Sequence, residues 1–100
     1  MLAGGTKGMI FVWNVSDGSL RYQIDENFGE VHSLDFSPDG SMLVSGSEDG
    51  MVRIWDTDTG DSLRVLTGHT SAVFGVSFSP AGENIVSGAN EGTIRIWGIP

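Results

Sequence analysis

Residues 31–55 read VHSLDFSPDGSMLVSGSEDGMVRIW, and residues 73–97 read VFGVSFSPAGENIVSGANEGTIRIW. The two stretches align without a gap at a spacing of 42 residues, and the same spacing separates Trp13, Trp55 and Trp97. In the first, shorter copy, Leu2, Gly4, Gly8, Ile10 and Val12 keep the positions of Val44, Gly46, Gly50, Val52 and Ile54. A fixed period of this length marks a repeat protein, in which each unit buries its apolar surface against its neighbours.

Turn residues punctuate the repeat. Ser37-Pro38-Asp39-Gly40 and Ser79-Pro80-Ala81-Gly82 place Pro second, where its fixed φ suits a turn, and Gly last. Thr6-Lys7-Gly8, Glu48-Asp49-Gly50 and Asn90-Glu91-Gly92 end in the glycine that a tight hairpin prefers. Such signals recur every 8 to 12 residues or so, the rhythm of short antiparallel strands, and no segment has the period of a helix. The pattern predicts strands over 9–15, 20–25, 31–36, 42–47, 51–56, 62–67, 73–78, 84–89 and 93–98, and no helix.

The strands that end in Trp define the layering. Neighbouring residues of a strand point to opposite faces, yet Met9-Ile10-Phe11-Val12-Trp13 is apolar on both. Met51-Val52-Arg53-Ile54-Trp55 and Thr93-Ile94-Arg95-Ile96-Trp97 share the pattern, with an Arg on the Trp face whose stem can lie along the ring. Strands covered on both sides, four to a repeat, imply small sheets stacked face to face.

Composition narrows the function. Five Lys and Arg against 13 Asp and Glu give a net charge of −8 and a pI near 4.3, a field that repels phosphate backbones and makes nucleic acid an unfavourable partner. The absence of Cys excludes disulfides, thiolate metal sites and thiol nucleophiles. No run of about 18 apolar residues spans a membrane. Without a basic, apolar leader the default expectation is an intracellular site, cytoplasmic or nuclear.

Gly68-His69, Val73, Val76, Phe78-Ser79-Pro80, Ser87-Gly88, Gly92 and Ile96-Trp97 resemble one WD (tryptophan-aspartate) repeat, and Ser45-Gly46-Ser47-Glu48-Asp49-Gly50 with Ile54-Trp55-Asp56 resembles another. The resemblance covers essentially the whole chain. It implies an all-β fold, a partial β-propeller of four-stranded antiparallel blades. Residues 1–29 would end a first repeat, 30–71 form a complete middle one and 72–100 begin a last. It also implies a hydrogen-bonded network of Ser45, Asp49 and Trp55 in the middle repeat, with Asn27 at the expected His position, and of His69, Ser87 and Trp97 in the last, with Glu91 where Asp is usual. The first copy offers Ala3 and Lys7 beside Trp13. Incomplete networks are expected to loosen the blades without preventing them.

A chain of 100 residues supplies about 2.4 such units, whereas closed propellers use about 4 to 8. The ring is therefore incomplete, and the expected explanations are a segment of a longer propeller protein, assembly with copies of itself or with additional blades, or an open repeat stack or marginal, aggregation-prone chain.

Chemistry-bearing motifs have simpler explanations. His32 and His69 near Ser and Asp invite a catalytic triad, but the repeat accounts for His69 as structural. Asp56-Thr57-Asp58-Thr59-Gly60-Asp61 begins like a calcium loop, but its twelfth residue is Thr67 and not Glu. Asn14-Val15-Ser16 fits a glycosylation sequon by coincidence. No catalytic residue, metal ligand or cofactor is expected.

The resemblance instead implies a non-catalytic protein-interaction scaffold, docking partners at the ends of the innermost strands. The matching positions are Thr6, Glu30, His32, Glu48, Ala72, Phe74 and Asn90. Phe74 stands out, because exposed aromatics commonly anchor interfaces. The competing expectation is a regulatory or sensing module appended to an enzymatic or nucleotide-switch domain outside this chain.

Overall fold

The computed structural model describes residues 2–98, and of residues 2, 5–7 and 25–28 only the backbone. Its described elements are all strands: β1 (Leu2–Trp13), β2 (Leu20–Phe36), β3 (Met42–Ser47), β4 (Val52–Asp56), β5 (Ser62–Leu66), β6 (Val73–Phe78), β7 (Asn84–Ala89) and β8 (Ile94–Gly98). Every pairing is antiparallel, in the order β1-β2-β3-β4-β5 and, separately, β6-β7-β8.

Nine expected strands become eight because 20–25 and 31–36 are the two ends of one long strand. The first end of β2 pairs with β1 (Ile10↔Ile24, Val12↔Tyr22), and the second pairs with β3 (Leu34↔Ser45, Phe36↔Leu43). The strand is carried across the residues between by the pairing of Lys7 with Glu30, with Gly29 at a φ of 86°. The register then jumps, so that Met9 faces Asp25. β1 correspondingly starts at Leu2 and absorbs the turn expected at Thr6-Lys7-Gly8, of which only the positive φ of Gly8, 69°, is left. It stops at Trp13 because Asn14 N–H bonds to the Ser19 carbonyl and Gly18 N–H to the Asn14 carbonyl, closing a turn over the expected end of the strand.

The other turns form as expected. At both Ser-Pro turns the Gly N–H bonds to the Ser carbonyl at 2.9 Å, and the Ser Oγ accepts the N–H five residues on. Asp39 Oδ1 also takes the Ser41 N–H, the Ser41 hydroxyl and the Ser37 hydroxyl. These donors, led by the Ser41 N–H, hold the Asp39 carboxyl down at about 2, against an ordinary 3.8. A carboxylate whose folded value is depressed stabilises the fold above the unfolded value and loses that contribution as pH falls toward the folded one. A carboxyl-carbon NMR titration should therefore place Asp39 near 2, and Ser41→Ala together with Ser37→Ala, which keep the Ser41 N–H but remove both hydroxyls, should return it only part of the way toward 3.8.

Three sheets stack face to face: β1 with residues 20–25 of β2; residues 31–36 of β2 with β3, β4 and β5; and β6 with β7 and β8. Alternation along the middle sheet sends successive side chains to opposite layers. Leu43, Val31 and Trp55 join Ile10, Val12 and Ile24 in the layer toward the first sheet. Val44, Val52 and Ile54 join Val73, Val76, Phe78 and Ile85 in the layer toward the third. Gly46 permits the second contact, because a Cβ there would lie 2.6 Å from Val73 Cγ1. Two side chains also bridge the sheets: Ser33 Oγ accepts the Val76 N–H at 3.1 Å, and Asp35 Oδ2 accepts the Phe78 N–H at 2.8 Å.

The far face of the third sheet has no such cover. Val52 and Ile54 are 0% and 2% exposed, whereas their repeat equivalents Ile94 and Ile96 are 73% and 72% exposed. The same residue types thus lie bare at one end of the stack.

Candidate functional site

In the third sheet, His69 precedes the inner strand β6, Ser87 lies on β7 and Trp97 on β8. Ser87 Oγ accepts the Trp97 indole N–H at 2.8 Å and lies 2.7 Å from His69 Nε2. The two rings meet edge-on at 6.3 Å. Glu91 behaves differently from the Asp it replaces. Its longer arm reaches the chain before β6, taking the Thr70 N–H and the Ser71 hydroxyl, while Ser71 Oγ accepts the Glu91 N–H. Its Oε1 is left 3.4 Å from His69 Nδ1, too far for a good hydrogen bond, and that nitrogen has no closer partner. Glu91 therefore ties the segment before β6 to the turn after β7. Burial alone would raise the Glu91 carboxyl, but the Thr70 and Ser71 donors and the nearby imidazole outweigh it and hold the group below its usual range.

The middle sheet divides the expected network in two. Trp55 Nε1 donates to Ser45 Oγ at 3.0 Å inside the stack. Asp49 is not part of that pair: it binds Arg53 through two nitrogens, at 2.6 and 3.2 Å, and takes the Ser47 hydroxyl and the Met51 N–H. Burial works against the Asp49 charge, yet these donors outweigh it and keep the carboxyl below its ordinary value. Arg53, four residues on and on the Trp face, has drawn the turn carboxylate to itself. In the first sheet, Gly4 rather than Ala3 lies against the Trp13 ring, and Ala3 packs on the layer toward the second sheet. The Asn27 and Lys7 side chains lie outside the described residues.

Ser87, His69 and Glu91 stand in the order of an acyl-transfer triad, but their surroundings differ from one. Ser87 is fully buried and its Oγ already accepts an indole N–H, so no substrate carbonyl can reach it. The Asp56 loop is an Asx turn, its Oδ1 taking the Asp58 and Thr59 N–H groups. Among the described residues, no group of three or more His, Cys, Asp or Glu could hold a metal ion.

Of the expected docking positions, His32, Glu48 and Phe74 meet. Glu48 N–H bonds to the Glu30 carbonyl, joining the start of the inner strand segment to the turn after β3. His32 Nε2 lies 2.5 Å from Glu48 Oε2, and the His32 ring meets Phe74 of the next sheet edge-on at 5.2 Å. Phe74 is 51% exposed. Asn90 N–H bonds to the Ala72 carbonyl, the repeat equivalent of the Glu48–Glu30 bond. Ala72 differs from the rest: its methyl is buried, and it serves the sheet edge through its carbonyl instead of offering a side chain to a partner. The Thr6 side chain lies outside the described residues.

Stacked antiparallel sheets, repeating at a fixed period and meeting through alternate apolar faces, define a partial β-propeller. A family model described as the Vps8 beta-propeller matches residues 1–98. The chain belongs to that family. No curated protein matches the sequence.

Proposed function

We propose that the chain is a segment of a WD-type propeller acting as a non-catalytic scaffold, with protein partners docking where the inner strands end. One observation carries this reading: Phe74, a large apolar side chain half open to water, stands beside the His32–Glu48 pair of the neighbouring sheet at a position that the repeat leaves free to vary. Buried rings stabilise folds, whereas a ring held at the surface by a rigid sheet is suited to anchoring a partner. The Trp97–Ser87–His69 and Trp55–Ser45 bonds support the WD assignment. The bare Val86, Ile94 and Ile96 support completion of the stack by further blades, since their equivalents in the middle sheet are covered by a neighbouring sheet.

Photocrosslinking tests the docking surface. A benzophenone side chain placed at Phe74 is expected to capture a discrete partner from cell extract, and the same probe at Asp58, in the turn after β4, to capture none. Capture at Asp58 alone, or at neither position, would overturn the reading.

A further inference from the structure

Phe74 and Glu48 belong to different sheets, yet both contact His32. The imidazole holds Glu48 through Oε2 and makes a T-shaped contact with the Phe74 ring, so a carboxylate and an aromatic ring flank one side chain. The Glu48 side chain is 58% exposed, although one of its oxygens is held by His32. Aromatic faces and carboxylates attract the same sign of charge, and side by side they favour a cation. The wider field agrees: between Asp25 and Asp61 there are ten acidic residues and one Arg.

We propose that this surface receives an arginine side chain of the partner protein, its guanidinium lying on the Phe74 ring and hydrogen-bonding the outer oxygen of Glu48. The inference rests on the docking reading above and adds the chemistry of what docks. Arginine fits better than lysine, because its planar, weakly hydrated fork can stack on the ring and pair with the carboxylate together. His32 is a positioning residue here: it fixes one oxygen of Glu48 and so orients the other.

The isotope-labelled 100-residue chain, titrated with acetyl-Leu-Arg-Leu-amide and with its citrulline counterpart, separates charge from shape. The arginine peptide is expected to shift the amides of His32, Glu48 and Phe74 and to bind about fivefold or more tightly than the citrulline peptide at low salt. Glu48→Gln should lower that ratio about twofold or more, the stacking on Phe74 keeping the remainder, while leaving the rest of the amide spectrum unchanged. Equal binding of both peptides at these residues overturns the arginine inference and leaves docking on this face intact. If neither peptide moves these amides while the Phe74 crosslinker still captures a partner, the arginine inference alone falls. If both experiments are blank, the docking reading falls with it.

Discussion

Trp55→Ala, at the largest fully buried side chain among the described residues, is expected to cost about 3 to 5 kcal/mol. The indole is 1% exposed, lies in the layer between the first and second sheets with Leu43, Ile10, Val12 and Ile24, and gives its N–H to a buried Ser45 hydroxyl. Truncation removes the ring, opens a cavity between two rigid sheets that cannot close over it, and leaves the hydroxyl without its donor. Trp55→Phe should lose less, because it restores most of the volume and forfeits chiefly the hydrogen bond. Urea unfolding at constant slope reads both values. A midpoint for Trp55→Ala close to that of the parent chain would mean that the indole is not held between sheets.

The second large effect is a contrast between two glycines at the same repeat position. At Gly46 an added methyl would sit 2.6 Å from Val73 Cγ1 and 3.0 Å from Val76 Cγ1, so Gly46→Ala must push β6 away from the middle sheet. Overpacking of this kind costs about 1 to 3 kcal/mol. Gly88 has nothing within 4 Å of the equivalent point, and Gly88→Ala should change stability by no more than about 0.5 kcal/mol. The pair of variants therefore reports which sheet faces are covered in solution. Should Gly88→Ala prove as damaging as Gly46→Ala, the third sheet is capped in solution by another layer, as the scaffold reading expects of a completed ring.

The stacking was legible because its cause is local. Apolar residues on both sides of Val52-Arg53-Ile54-Trp55 can only mean a strand covered twice, and the turn chemistry of Ser37-Pro38-Asp39-Gly40 sets where strands stop. The continuity of β2 was not legible, since it depends on Lys7 pairing with Glu30, a backbone contact across 23 residues that side-chain pattern does not record. The polar networks were half legible. Repeat position identifies Ser45, Ser87 and His69, but which acid meets which base depends on side-chain reach: Arg53 takes Asp49, and the extra methylene of Glu91 carries its carboxylate to Thr70 and Ser71. The contact of Glu48 and Phe74 with His32 was not legible, because it joins residues from two separate sheets.

The hydroxyl of Ser33 and the carboxylate of Asp35 occupy the backbone donors of Val76 and Phe78 along the inner margin of β6. A foreign strand seeking to zip onto that margin would have to evict a charged group, so misassembly into fibrils is blocked there. The opposite margin, β8, carries Arg95 as its one charge between two bare isoleucines. Amyloid-like growth of the isolated polypeptide should accordingly begin at Ile94–Gly98, and a second lysine or arginine in that strand would be the economical way to suppress it.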